Sequence, residues 1–519
     1  MNRIDSSGDH QWGGAEPSAA ALRRLARSGA FAATAAGWIG QAVQVALYAA
    51  LYRLLAPEVF GLFWMVLPWV LLLRALSTGG LNIGAVQRAE LNQGQATTLF
   101  WLMLAAGTLT TAATAAVGPV LAWSKSQPEL LGLTLAMSGT ALLAAAAASH
   151  QALVERRMRL GALAVARLVS QIAGGLSAVA LAWQGYGVWS LVGQWYVEMG
   201  LLAALSWWLE PWRPRAPWRG EPVGDILRFG GFYTTAMLLF AVAQLSDKLL
   251  LSLLVEARQA ESALGYYSQA FAWMMKPVLL MTTPITAAAL PALSRAAGAS
   301  DVHRDLLLAF NRLIAIVLLP SGVGLAIVAP ETMLVLGGAK WEPAGAILRV
   351  LALVILVQGF INLAGSMLVS VGRADRLCRG ALVLAALSTL GSLAGLLAGR
   401  ATERPALGLA VGYTVAVAGV FAWPYLIDVL RTAGTPPRDW LRTLRPAATA
   451  AAAMGIVVLA ARWGLQSTGM FSPAVMLAIE ISLGVIAYGL FARGEVAWLR
   501  TQLGRLLQGG ETSPQIERL

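Results

Sequence analysis

Apolar segments of about twenty residues, separated by short charged or proline-bearing stretches, recur from residue 30 almost to the end of the chain. Each is long enough to cross a hydrocarbon layer of about 30 Å as a helix. The chain of 519 residues is 58% hydrophobic and only 12% charged. The sequence therefore predicts an all-α, polytopic integral membrane protein with about fourteen transmembrane helices. The predicted spans lie near 30–55, 62–84, 97–121, 131–153, 162–183, 187–208, 230–254, 267–292, 310–330, 344–371, 379–399, 406–428, 447–464 and 473–492.

The formal charge of +12 is carried mainly by arginines in the stretches between the apolar segments. Basic surfaces that bind nucleic acid lie on polar folds, so this pattern indicates membrane topology and no nucleic-acid partner. The single cysteine, Cys378, excludes an internal disulfide, and His10, His150 and His303 are too scattered to form a ligand cluster. We therefore expect no metal site.

Basic residues also predict the orientation, because they favour loops that stay in the cytoplasm. With the N-terminus inside, the cytoplasmic segments carry about three times as many basic residues as the outer ones, so both termini are expected in the cytoplasm. The apolar run after residue 29 is too long for a cleavable signal peptide. The predicted divisions are a cytoplasmic tail (1–29), a six-helix lobe (30–209), a cytoplasmic connector (210–229), a second six-helix lobe (230–430), a cytoplasmic loop (431–446), two additional transmembrane helices (447–493) and a cytoplasmic tail (494–519).

A short internal repeat follows the first and the seventh predicted spans. Pro57–Phe63 reads PEVFGLF and Glu261–Tyr267 reads ESALGYY, so in both copies an acidic residue precedes a glycine and an aromatic-rich entry into the next span. Six helices separate the copies, which gives both the same orientation. Parallel repeats of this kind predict two similar six-helix lobes related by an axis along the membrane normal.

Several further segments lie, in order, at predicted helix ends: Leu54–Gly61, Leu227–Gly230, Gly265–Ala270, Lys276–Arg295 and Gly337–Trp341. In these segments the chain resembles the polysaccharide transporter family, the Wzx-type branch of the multidrug/oligosaccharidyl-lipid/polysaccharide (MOP) flippase superfamily. The resemblance covers roughly residues 30 to 430. It implies a V-shaped bundle of two lobes that carries an undecaprenyl-pyrophosphate-linked oligosaccharide repeat unit across the bacterial inner membrane by alternating access.

The same resemblance implies a role in exopolysaccharide, capsule or O-antigen (lipopolysaccharide) biosynthesis, as a transporter and not as an enzyme. The implied partners are the lipid-linked oligosaccharide and the membrane bilayer, with a polysaccharide polymerase and glycosyltransferases acting on the same pathway. No cofactor is implied beyond a coupling ion, H⁺ or Na⁺.

Two cations lie near the middle of predicted spans, Arg74 in the second and Lys276 in the eighth. Ionisable residues inside a membrane are costly and mark functional sites, and a diphosphate that crosses the bilayer needs fixed positive charge along its path. Arg74 is the stronger candidate, because its planar fork matches a diphosphate better than the point charge of lysine does. Arg167, in the fifth span, is a third candidate. For all three, the alternative is pairing with an acid, snorkelling or a topology signal.

Acidic residues inside spans are candidates for ion coupling. Glu198 and Asp247 would each bind a proton or a sodium ion during the transport cycle; structural pairing is the alternative. Asp247 and Lys248 are adjacent, and neighbours on a helix do not face one another, so we expect each to pair with another helix or Lys248 to snorkel.

Aromatic residues and prolines add two expectations. The tryptophans near predicted membrane boundaries are expected to form interfacial belts: Trp207, Trp208 and Trp212 at the end of the sixth span, and Trp183, Trp189, Trp341 and Trp463 near outer boundaries. Three tryptophans lie deeper in their spans and are candidates for stacking on a sugar ring: Trp69, Trp195 and Trp273. Pro277, Pro284 and Pro291 all fall in the eighth span, which we expect to bend between inward and outward states.

Three other functions remain open at this point. A MATE-like multidrug exporter would share the architecture, but cationic drugs favour an acidic cavity. A flippase for the lipid-linked peptidoglycan precursor cannot be separated by charge. A membrane-bound polymerase or glycosyltransferase would present a large outer loop with catalytic residues, whereas the predicted outer loops are about a dozen residues or fewer, with no phosphate-binding glycine loop or paired catalytic carboxylates.

Overall fold

The computed structural model describes residues 3–4, 10–11, 19–87, 91–215, 224–296, 300–468 and 471–508, and almost all of them are helical. Two short strands near the N-terminus, β1 (Arg3–Ile4) and β2 (His10–Gln11), pair antiparallel. The first helices are α1 (Ala19–Leu54), α2 (Pro57–Gln87), α3 (Gln93–Lys125), α4 (Glu129–Arg156), α5 (Leu160–Trp183), α6 (Trp189–Leu209) and α7 (Gly224–Leu254). They are followed by α8 (Ala257–Arg295), α9 (Ser300–Gly337), α10 (Glu342–Ser370), α11 (Ala374–Ala401), α12 (Pro405–Thr414), α13 (Ala422–Thr432), α14 (Pro437–Thr468), α15 (Pro473–Phe491) and α16 (Arg493–Gln508).

Local signals fix several helix ends. Asn92 and Gln95 form a capping box at the start of α3, with each side chain bonded to the other's backbone N–H. Ser126 adopts a left-handed conformation that ends the same helix. Ser472 caps α15, and Pro473 occupies its first turn. A π-helical segment, Val415–Phe421, joins α12 to α13 and widens the helix without interrupting it.

The chain divides into two compact units. The first consists of Met1–Ser268 and Leu384–Leu409, and the second of Gln269–Val383 and Ala410–Leu519. In the first unit α3 packs along α4, α2 along α7, and α5 along both α1 and α6. In the second unit α9 packs against α10 and α14, and α14 against α15.

The helices agree with the predicted all-α membrane architecture. Each predicted span overlaps a helix, and the twelfth corresponds to α12, the π-helical segment and α13 together. Within the described residues, eleven helices are long and apolar enough to cross a membrane. The count of about fourteen crossings stays a prediction. Large apolar side chains such as Trp123 (84% exposed) in the first unit and Val485 (69% exposed) in the second are exposed on their helices, as expected where lipid is the solvent.

The tails and the connector differ in part from expectation. The first helix begins at Ala19, eleven residues before the predicted span, within the stretch predicted as a tail. Residues 210–215 of the predicted connector have no regular secondary structure, whereas 216–223 lie outside the described residues. The predicted C-terminal tail contains α16 up to Gln508, and 509–519 are outside the described part.

Candidate functional site

Arg74 lies in a cluster of polar and aromatic side chains in the first unit. It is half-buried on α2, and its guanidinium carbon stands 5.5 Å from the centroid of the Trp195 ring on α6. Glu198 follows Trp195 by three residues, on the same face of α6. Its carboxylate is close enough to Arg74 for the two opposite charges to attract one another. The cluster brings together a predicted substrate cation, a predicted stacking aromatic and a predicted ion-coupling acid.

Lys276 forms a similar arrangement in the second unit. Its ammonium lies 5.3 Å from the centroid of the Trp273 ring, three residues earlier on α8. Pro277 follows directly, and Pro284 and Pro291 also lie inside α8, as predicted. Each of the two mid-span cations therefore lies over one of the three tryptophans that the sequence suggested for sugar stacking.

Neighbouring polar groups on α8 and α10 are used for contacts between helices. The Asn362 amide of α10 donates to the Thr282 hydroxyl of α8 at 3.3 Å and accepts from Gln358 at 3.1 Å. Such interhelical bonds satisfy polar groups that lipid cannot solvate.

The expectation that Asp247 and Lys248 do not face one another is wrong. Lys248 Nζ lies 2.9 Å from Asp247 Oδ2, and both side chains are at most 3% exposed. The Tyr267 hydroxyl of α8 donates to the same carboxylate oxygen at 2.7 Å, and the rings of Tyr267 and Trp64 lie within 6 Å of the ammonium. The long lysine side chain curls back along the helix, because an unpaired buried charge would cost more than the bent conformation.

Arg167 is not part of either cation–aromatic arrangement. Its side chain is 54% exposed and forms a 3.0 Å ion pair with Glu155 near the end of α4. Exposed ion pairs contribute little to stability. This geometry favours the alternative interpretation of Arg167 as a topology or pairing residue.

The belt interpretation of Trp212 and Trp341 is also wrong. Both rings are fully buried, at 2% and 0% exposure, whereas Trp183, Trp208 and Trp463 are exposed as predicted. Trp212 Nε1 donates to Gln93 at 2.6 Å, and the Trp212 carbonyl lies 3.2 Å from His150 Nε2. His150 stacks on Trp207 with ring centroids 4.1 Å apart.

This aromatic cluster and its neighbours anchor the irregular residues 210–215 to the start of α3 and the end of α4. The Gln93 amide donates to the Arg213 carbonyl, Trp101 donates to the Arg215 carbonyl, and Arg157 pairs with Glu210 at 2.9 Å. Sequence inspection missed the cluster, because hydropathy near a helix end does not say which side of the helix faces protein. The one available signal was the density of tryptophans around Glu210.

Within the described residues, no group of three His, Cys, Asp or Glu side chains could hold a metal ion. Cys378 is exposed and is not part of a disulfide.

Similarity to solved structures defines the fold. The inward closed conformation of the lipid II flippase MurJ superposes with a TM-score of 0.71 at 13% identity, covering 91% of this chain and 99% of that one. An inward-facing MATE family multidrug transporter of the MOP superfamily gives a TM-score of 0.56 at 14% identity, covering 75% of this chain and 95% of the other. At these identities the comparison shows the MOP transporter fold alone.

Curated relatives are similar over a shorter stretch. The teichuronic acid biosynthesis protein TuaB of Bacillus subtilis is 25% identical over 57% of this chain and 61% of its own length. The succinoglycan biosynthesis transport protein ExoT of Rhizobium meliloti is 26% identical, over 58% and 60%. The lipopolysaccharide biosynthesis protein WzxC of Escherichia coli is 22% identical, over 63% and 66%. The chain thus covers less than two thirds of the length of each of these relatives.

The names of these relatives, and the transporters that share the fold, agree with the prediction of a polysaccharide transporter and not an enzyme. The model of one protein family, described as polysaccharide biosynthesis protein, matches residues 50–346, which is more than half of the chain. On this match, the chain belongs to the polysaccharide biosynthesis protein family.

Proposed function

We propose that this protein translocates an undecaprenyl-pyrophosphate-linked oligosaccharide repeat unit across the bacterial inner membrane by alternating access. Both termini would then lie in the cytoplasm, where glycosyltransferases assemble the substrate. A polysaccharide polymerase would use the translocated unit on the outer side. The family match and the MOP fold support transport in polysaccharide biosynthesis. The cations and tryptophans inside the predicted spans support the choice of substrate.

The observation that carries the proposal is the pairing of each mid-span cation with a tryptophan. Arg74 lies over Trp195, and Lys276 lies over Trp273. A lipid-linked oligosaccharide has an anionic diphosphate next to sugar rings. A cation can bind the diphosphate, and an aromatic face beside it can stack on the apolar face of a sugar. One such arrangement in each unit provides a contact for the head group during the cycle.

Glu198 fits this proposal as the resting partner of Arg74. The charge of an arginine inside a membrane is stabilised by a nearby carboxylate when no substrate is present. A diphosphate carries more negative charge than one carboxylate and offers the bidentate geometry that a guanidinium prefers. The substrate would therefore displace Glu198 from Arg74, which frees this acid to take up a proton or a sodium ion.

The proposal is tested by deleting the gene and following radiolabelled sugar. A diphosphate head group crosses a bilayer extremely slowly without a carrier, because it must lose its hydration. Surface polysaccharide should fall, and labelled sugar should accumulate in the lipid extract, protected from probes that act only from outside. Resistance to cationic dyes should stay unchanged.

The opposite pattern would favour a multidrug exporter. In that case the deletion strain would show normal surface polysaccharide, no accumulation of lipid-linked sugar and increased sensitivity to cationic drugs. A block in cell-wall synthesis, with accumulation of the peptidoglycan precursor, would instead favour a peptidoglycan precursor flippase.

A further inference from the structure

Glu480 is a buried acid, and its surroundings differ from those of Asp247 and Glu198, the two acids suggested for ion coupling. Asp247 is paired with Lys248, and Glu198 lies near Arg74. Glu480 of α15 is 1% exposed, and neither of its carboxylate oxygens has a hydrogen-bond donor among the described residues. A buried carboxylate in this situation requires a compensating ligand or proton.

The surroundings of Glu480 are formed by three helices of the second unit. Ile327 and Val328 of α9, Met454 and Val458 of α14, and Ala487 of α15 form an apolar cluster. Glu331 lies one turn further along α9, and Arg462 lies one turn further along α14. Glu480 lies at the same level on α15, because it is one turn from Gly484, which packs near Val458. Glu331, Arg462 and Glu480 therefore form a charged layer next to the apolar cluster.

The charges in this layer do not balance. Arg462 donates to one oxygen of Glu331 and to the Ile327 carbonyl, and the second oxygen of Glu331 has no donor in the described part of the chain. Among the described residues, the charged groups that interact with Glu480 are Glu331 and Arg462. On α16, which packs on the opposite end of α15, Glu495 is held by Arg312. Two ionised carboxylates would thus share one guanidinium.

We propose that Glu480, Glu331 and Arg462 form a proton-binding site in which Glu480 is the protonated acid. A proton on Glu480 removes the surplus negative charge and converts one of its oxygens from an acceptor into a donor. Arg462 then balances Glu331 alone. If the protein is the transporter proposed above, this site is where a proton gradient acts on it, on helices that carry neither Arg74 nor Lys276.

Infrared spectroscopy of the purified protein in lipid nanodiscs tests proton binding directly, without substrate. The wild type should show the carbonyl stretch of a protonated carboxylic acid, and Glu480→Gln should lose that band. Glu331→Gln should lose it as well, because Arg462 then has a single carboxylate partner and holds Glu480 in its ionised form. Glu342→Gln, which changes an exposed acid of the same unit, should keep the band.

Three results would overturn the proposal. One is a band that survives in Glu480→Gln. The second is a band that survives in Glu331→Gln, which would show that Glu480 is neutral without the second acid. The third is the absence of the band, together with thermal stabilisation by sodium that Glu480→Gln removes, which would replace the proton by a sodium ion. If Glu480→Gln does not fold, the Glu331→Gln spectrum decides.

Coupling to transport is measured separately in vesicles. An imposed pH gradient should change the rate of substrate translocation at least severalfold for the wild type and for Glu342→Gln, but not for Glu480→Gln. Translocation by the wild type that ignores the gradient would overturn the coupling role and leave the infrared result unaffected. No translocation of the lipid-linked sugar by any variant would instead contradict the proposed function.

Discussion

Gly61 of α2 and Gly265 of α8 occupy equivalent positions in a reciprocal helix crossing. Gly61 lies against the backbone carbonyl of Glu261, and Gly265 lies against that of Pro57, so a Cβ atom at either glycine would overlap the opposite helix. Each glycine is four residues after the residue that the other one contacts. The short repeat in the sequence therefore marks a local two-fold contact in which only glycine fits.

Alanine at either glycine should weaken this crossing. Because the neighbouring atoms are backbone, they cannot move aside as a flexible side chain would, and Gly61→Ala or Gly265→Ala should cost about 1–3 kcal/mol. The thermal unfolding midpoint in detergent is the readout. Gly200→Ala on α6 has open space around its Cβ and should unfold no earlier than the wild type. Equal midpoints for all three variants would argue against a tight crossing.

The predicted topology can be read from reporter fusions. An enzyme that is active only outside the cytoplasm should be active when fused near Ser262, in the first turns of α8. The same enzyme fused near Arg219, between α6 and α7, should be silent. A reversed result at either position would contradict the arrangement of spans derived from the basic residues.

The two mid-span cations should be needed for export and not for folding. Arg74→Ala and Lys276→Ala should accumulate normally yet fail to restore polysaccharide export in a deletion strain. Arg74→Lys should also be impaired, because it keeps the charge and loses the bidentate fork. Arg167→Ala is the matched control, since Arg167 is exposed and paired with Glu155, and it should restore export. Full export by the Arg74→Ala/Lys276→Ala variant would show that neither cation handles substrate.

The Asp247–Lys248 pair should act as a structural unit. Asp247→Asn leaves a buried lysine without its carboxylate, which should cost about 3–5 kcal/mol and lower the amount of protein in the membrane. The double variant Asp247→Asn/Lys248→Met removes both charges and should recover accumulation and export. If the double variant accumulates but does not export, Asp247 couples an ion in addition to its structural role.

Hydropathy predicted the helices well, because a membrane-spanning segment must satisfy its backbone internally and must be apolar over about twenty residues. The glycine repeat and the mid-span cations were also visible, since both are exceptions in an apolar sequence. The partners of individual side chains were not visible in the sequence. The Asp247–Lys248 pair depends on the reach of a flexible side chain, which the spacing of residues on a helix does not describe.

The sequence also did not show which face of each helix is buried by other helices. Trp212 and Trp341 lie beside helix ends as Trp208 and Trp463 do, yet the first two are buried and the others exposed. Which neighbour covers a residue depends on tertiary packing that a single sequence without clear periodicity does not specify. For the same reason, the proximity of Arg74 to Trp195, on another helix, could not be predicted.

The most direct measurement of the central claim is translocation by the purified protein in liposomes. A polyprenyl diphosphate carrying a labelled oligosaccharide is incorporated, and the fraction accessible from outside is followed with time. The wild type and Arg167→Ala should accelerate its movement across the bilayer, whereas Arg74→Ala/Lys276→Ala should not exceed protein-free vesicles. Equal rates for the double variant and the wild type would contradict the account, as would a wild type that does not move the lipid at all.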